Sequence, residues 1–171
     1  MNPAVYERFR REKNQFFRTS PHSPLLPAQK KVFAGLNYFP PNEALALEIQ
    51  AEEFPQKDSI QMQTSTGDLR IYQRWGKLPF RVNNEPAELT LYYSPEHGHF
   101  FLPFMDVTSG SETYSAGRYL DPEHLGDGIF RVDFNLAYSP YCAYNENYSC
   151  PIPPAENRLK VRIEAGEKNI T

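Results

Sequence analysis

Apolar and polar residues alternate over short stretches along most of this chain. In residues 44–54, Leu45, Leu47, Ile49 and Ala51 fall on one side, with Ala46, Glu48, Gln50 and Glu52 on the other. A period of two predicts a half-buried strand. The alternation returns in residues 60–65, 69–75 and 129–134. It is cleanest in residues 159–165, where Leu159, Val161 and Ile163 oppose Lys160, Arg162 and Glu164. Apolar runs at 80–82, 89–93, 99–105 and 114–119 extend the series, and an aromatic block at 33–39 is closed by Pro40-Pro41. Thr66-Gly67-Asp68, Asn83-Asn84 and Pro95-Glu96-His97-Gly98 read as the turns between these strands.

Helical periodicity is confined to the start. Residues 3–18 carry Pro3 in the first turn and Val5, Phe9, Phe16 and Phe17 as a rough apolar stripe among charges. Thr19-Ser20-Pro21 should end the helix. Residues 19–31, with three prolines, read as an extended connector, or as one that begins a turn of helix at Ser-Pro-Leu-Leu. There is no strand–helix–strand alternation and no repeat. The expected fold is mainly β: an antiparallel barrel-like or sandwich-like sheet with one N-terminal helix packed on it. One domain is expected over residues 1–171, with the helix inside 1–18 and the β domain over 32–171.

Composition agrees with short strands and fixed turns: 14% of the 171 residues are aromatic and 16 are proline. The net charge of −3 has its signs interspersed, with no basic stripe, so no nucleic-acid partner is expected. No segment has the length and apolarity of a signal peptide or a membrane span, so the expectation is a soluble, cytoplasmic protein with no membrane partner. Exposed strand edges would leave room for a homodimer.

Chemistry concentrates in residues 104–167, which are dense in Asp, Asn, Arg and Tyr between Gly and Pro. Asp106, Thr108, Ser109, Glu112, Tyr114, Arg118, Asp133, Asn135, Tyr138, Tyr144, Glu156 and Asn157 are the candidate site residues. Asp133 and Asn135 alternate with Val132 and Phe134, which puts them on one strand face. Arg118 could pair with Asp133 or Asp106 in a fork geometry. Such residues build a binding pocket, or they satisfy the backbone groups that long loops leave unpaired. Cys142 and Cys150 match no zinc or redox spacing; they read as structural thiols or as a disulfide across the intervening loop. His97 and His99 have the spacing of one strand face but lack a third ligand, so no metal is assigned. No nucleotide-binding or hydrolase signature is present, and the cofactor, if any, is unknown.

The phrases DVTSGSETYSAGRYL, DFNLAYSPYCAY, CPIPPAENRL and AGEK begin at Asp106, Asp133, Cys150 and Ala165. They resemble the hallmark phrases of a bacterial and archaeal family known as domain of unknown function 1684 (DUF1684). The N-terminal half resembles the family's short form, without a longer leading segment. The family carries no assigned activity, so the resemblance implies a shared feature, comprising the candidates above together with Glu167, and no catalytic role. The expected function is small-molecule binding. In that reading Arg118 recognises an anionic or carboxylate group, Asp133 and Asn135 orient it, and Tyr114, Tyr138 and Tyr144 form stacking walls. Two alternatives stand beside it: a hydrolase using Asp106 or Asp133 as base, and a structural or interaction protein whose polar block stiffens loops.

Overall fold

The computed structural model describes residues 2–170. Met1 and Thr171, the ends of the expected 1–171 domain, lie outside them. The fold is mainly β, with antiparallel sheets arranged in sandwich fashion and no closed barrel. Strands β1 (Ala46–Gln50), β2 (Glu52–Glu53), β3 (Ser59–Gln63), β4 (Leu69–Val82), β5 (Glu85–Ser94), β6 (His99–Phe104), β7 (Arg118–Leu120), β8 (Glu123–Gly126) and β9 (Ile129–Asp133) follow in chain order. One sheet has three strands in the order β1-β9-β8. The other has six, ordered β2-β4-β5-β6-β7 with β3 paired to β4.

The two sheets bury a common core. Ile49, Phe130 and Val132 from the smaller sheet, with Leu45 just before it, meet Leu78, Val82, Leu89, Leu91, Leu102 and Phe104 from the larger. The larger sheet is covered on its other face as well. There Met62, Tyr72, Tyr92, Phe101 and Tyr119 pack beneath Tyr138, Tyr141, Cys142, Tyr148 and Cys150. Strand alternation explains the division: Leu102 and Leu120 point to the main core, while their neighbours Phe101 and Tyr119 point to the aromatic face.

The predicted turns appear where expected. Val82 pairs with Glu85 around Asn83 and Asn84, whose φ angles are 49° and 68°. Two consecutive left-handed residues make the hairpin turn whose twist matches the flanking strands. The expected strand over 44–54 forms in two pieces, β1 and β2, which belong to different sheets. A 3-10 turn at Glu43–Leu45 leads into β1, and after Ala51 the chain crosses to pair β2 with β4. The strands expected at 69–75 and 80–82 form one long β4, with a bulge between Arg74 and Gly76. β8 was not expected, only Arg118 and Tyr119 of 114–119 are strand, and the aromatic block at 33–39 contributes a single bridge from Tyr38 to Glu167.

The clearest sequence alternation, at 159–165, is not a strand. Its burial does alternate: Ile163 is buried while Lys160, Arg162 and Glu164 are exposed. The carbonyls of Ile163 and Ala165, however, are taken by an arginine side chain, described below, and the backbone bonds of Leu159 N to Met105 O and of Val107 N to Val161 O do not extend into a ladder.

The helix α1 spans Pro3–Thr19, with the Asn2 side chain capping Ala4 N. Of its expected apolar stripe only Phe17 lies on the docking face. Val5, Phe9 and Phe16 are 61%, 37% and 38% exposed, whereas Tyr6 and Phe17 are buried. The helix docks along Tyr6, Arg10, Lys13, Asn14 and Phe17, a seam at helical spacing made mostly of polar side chains. Arg10 donates to Phe39 O at 3.1 Å and Asn14 accepts from Leu36 N at 2.9 Å. In the connector a short helix α2, Pro27–Val32, does form. The Gln29 side chain caps its start, accepting from Leu26 N at 2.7 Å.

Gly166 has φ +79°, and a Cβ there would sit 2.7 Å from the carbonyl oxygens of both Phe134 and Ala137. Gly67 has φ +88° and nothing within 4 Å of that position. Gly166→Ala is therefore expected to cost at least about 2 kcal/mol of stability, and Gly67→Ala about 1 kcal/mol. Urea denaturation midpoints of the two variants check the difference.

Candidate functional site

The candidate residues of the C-terminal third divide among separate locations. The most buried is centred on Arg118, which is 1% exposed. Its Nη1 donates to the carbonyls of Ala165 and Glu167, and its Nη2 to that of Ile163 at 2.9 Å. Nη2 also reaches Asp106 Oδ1 at 3.4 Å. The Asp106 carboxylate accepts further bonds from the Thr108 hydroxyl at 2.9 Å and from Ile163 N at 2.7 Å. Glu167, buried next to this group, accepts from Lys13, from the Tyr144 hydroxyl at 2.7 Å and from Ser139 N at 3.3 Å.

Asp133 lies in a second location. Arg118 pairs with Asp106, through one contact and not a fork, and not with Asp133, which instead accepts from the Tyr6 hydroxyl at 2.6 Å. Burial, reinforced by that carboxylate, pushes the Tyr6 hydroxyl well above its ordinary pKa. Asn135 does not continue the strand face of Asp133. It sits in a 3-10 turn that Asp133 caps, with Asn135 N donating to Asp133 Oδ1 at 3.0 Å. Asn135 also ties down the loop at Asn42, through bonds of 2.8 and 2.9 Å.

A third location lies at the β5 side. Asn157, 0% exposed, pairs with both backbone groups of Thr90 and donates to Pro103 O, at 2.8–2.9 Å. Next to it, Arg74 grips Glu156 with two bonds of 3.0 and 2.8 Å, and the Tyr92 hydroxyl donates to the same carboxylate. Tyr114 and Tyr144 line a small hollow of about 170 Å³ with Ser139 and Lys168.

Of the expected ligand residues, Tyr138 is the one that lines a large aromatic cleft, of about 780 Å³. Its floor is the aromatic face of the larger sheet: Tyr72 stacks on Phe101 at 5.3 Å, and Phe101 meets Tyr119 edge-on at 4.8 Å. Tyr138 continues the row, 5.8 Å from Tyr119, with its hydroxyl held by Asp121 at 2.7 Å. Tyr141, Tyr148 and Cys150 form one side, and Phe9, Lys13 and Phe16 of α1 the other. Arg70, His97 and His99 complete the lining. Lys13 is neutralised by Glu167 and lies 5.0 Å from the Tyr138 ring. Arg70 makes one bond of 2.6 Å, to Ser149 O, and no ion pair among the described residues.

Most of this lining was absent from the sequence-derived set. The signal was available in part: Tyr72, Phe101 and Tyr119 fall on one face of successive strands. What the alternation could not show is that this second face is covered by a loop and a helix.

Cys142 and Cys150 are free thiols in contact, with Cys142 N donating to Cys150 Sγ at 3.3 Å. His97 and His99 have ring centroids 5.9 Å apart. Among the described residues no three His, Cys, Asp or Glu side chains gather as a metal site, and no helix is long and apolar enough to cross a membrane.

The chain belongs to the family described as protein of unknown function (DUF1684), whose model matches residues 31–168. It is similar to an uncharacterized protein from Haloarcula marismortui with a solution NMR structure, at 35% sequence identity and a TM-score of 0.72. The likeness covers 96% of this chain and 92% of that one. No curated protein matches at a significant level.

Two outcomes follow from this geometry. Arg118→Met leaves Asp106 and three carbonyls without their donor, so it should cost about 3–5 kcal/mol by denaturant titration, against under about 0.5 kcal/mol for Arg70→Met. The second concerns Glu156. Burial raises its pKa, but the Arg74 and Tyr92 hydrogen bonds outweigh it and hold the carboxyl below its ordinary value. A depressed folded pKa contributes stability that is complete above the unfolded value of about 4.3 and lost as pH falls through the folded value. Glu156→Gln should therefore flatten the acid limb of the stability curve when denaturation midpoints are compared between about pH 3 and pH 7.

Proposed function

We propose that this protein binds a small molecule in the aromatic cleft, and that the ligand carries a flat unsaturated ring and an anionic group. The observation that carries the reading is the row of Tyr72, Phe101, Tyr119 and Tyr138 rings across a cleft of about 780 Å³ with Arg70 in its lining. A concave, mostly apolar surface with few polar groups is the usual form of a small-molecule site. The rings offer stacking and edge contacts. Arg70 still has guanidinium donors to offer a carboxylate or phosphate. The anion anchor in this reading is Arg70 in place of Arg118, whose terminal nitrogens already serve Asp106 and three carbonyls.

The polar phrases shared with the family are, in the same reading, the frame that shapes the cleft. A hydrolase acting through Asp106 or Asp133 draws no support from their bonding. Asp106 is enclosed by five donor groups, and Asp133 is tied to Tyr6 and Asn135.

Benzoate and 4-hydroxyphenylacetate serve as probes, with their uncharged amides as controls. The acids should give saturable thermal shifts and perturb the His97 and His99 ring resonances, and Arg70→Met should weaken them about tenfold or more. Equal binding by Arg70→Met, or no saturable binding by any aromatic acid, would overturn the reading.

A further inference from the structure

The two cysteines lie outside the ligand-binding argument, and their arrangement has a chemistry of its own. Cys142 is half-buried in a 3-10 turn, Tyr141–Ala143, whereas Cys150, in the cleft wall itself, is buried. The Cys142 sulfur has the Tyr114 hydroxyl 3.7 Å away, and its own N–H reaches the Cys150 sulfur at 3.3 Å. Cys150 is held in place independently. Its N–H donates to Ser65 Oγ at 3.0 Å, its carbonyl accepts from Ser65 N at 2.9 Å, and its sulfur accepts from Cys142 N. Cys142 is therefore the more exposed of the two, with a phenol hydroxyl beside its sulfur, and Cys150 is the more buried and more firmly held.

We propose that Cys142 and Cys150 form a thiol–disulfide exchange pair, with Cys142 the attacking and Cys150 the resolving sulfur, and a low-molecular-weight disulfide as oxidant. The Cys142 thiolate attacks one sulfur of the disulfide, forming a mixed disulfide and expelling one thiolate. Cys150 then loses its proton and attacks the Cys142 sulfur, expelling the second thiolate, which leaves as a thiol after protonation. Two electrons pass to the small disulfide, which becomes two thiols, and the protein gains the Cys142–Cys150 bond.

The electrostatics agree with this division of labour. Hydrogen bonding from Cys150, reinforced by Tyr114, outweighs burial and brings the Cys142 thiol down to about 6, while the same contact and burial push Cys150 up. Lowering the pKa raises the thiolate fraction at neutral pH about thirtyfold, but the weaker nucleophile gives back about tenfold, so attack should be only about threefold faster than by a free thiol. Site selectivity and ring closure, more than speed, are therefore the telling readouts.

The native protein, reduced and then exposed to oxidised glutathione at neutral pH, should lose both titratable thiols. Its intact mass should fall by two hydrogens, with no lasting adduct. Cys150→Ser should instead stop at a single glutathione adduct, mapped to Cys142 by peptide mass spectrometry. Cys142→Ser should remain unmodified over the same exposure, its melting temperature confirming that it is folded. Two free thiols persisting in the exposed native protein would overturn the proposal without reference to any variant. So would a Cys142→Ser protein that forms the adduct as fast as Cys150→Ser does.

Discussion

A guanidinium sealed inside the protein holds the C-terminal segment in place. Arg118 crosses the interior to the carbonyls of Ile163, Ala165 and Glu167, while Asp106 balances its charge and accepts Ile163 N. Desolvating an ion pair costs several kcal/mol per ion, so the arrangement persists only because nearly every donor and acceptor is met. Arginine suits the task because its planar fork spreads donors over several acceptors at once, which a lysine ammonium on a flexible stem does not.

That constraint propagates outward to the cleft. Because Arg118 fixes the backbone at Glu167, the Glu167 carboxylate is positioned to receive Lys13 from α1 and Tyr144 from the loop that covers the aromatic face. Asp133 secures the other end of the helix through Tyr6. The polar block and the cleft are thus coupled mechanically, although they share few residues. The side chains that define the block face inward, and the opening they support is lined by aromatics from other parts of the chain.

The sequence was most legible where structure is local. Period-two runs located most strands, and turn chemistry located the hairpins at Gly67, Asn83-Asn84 and Gly98, because both depend on neighbours in the chain. It was least legible where partners are distant. The alternation at 159–165 correctly reported which residues are buried but not what satisfies their backbone. In β4 the apolar Leu69 and Ile71 face outward and Tyr72 inward, against what apolarity alone suggests. The stripe on α1 misled for the same reason: the helix meets charged and polar groups that only the assembled fold brings together. Most members of the polar block were identified as residues of interest. Their division into separate networks, and the aromatic cleft beside them, depended on contacts between residues up to more than a hundred positions apart.

One wall of the cleft comes from Phe9, Lys13 and Phe16, which precede the stretch matched by the family model. The helix carrying them is fastened mainly by Tyr6, Arg10, Lys13 and Asn14, with Phe17 as its one deeply inserted apolar side chain. Two buried carboxylates, Asp133 and Glu167, take a donor from this helix. The recognition surface is thus finished by a segment that the matched stretch leaves out, and the shape of the hollow depends on how that segment is seated.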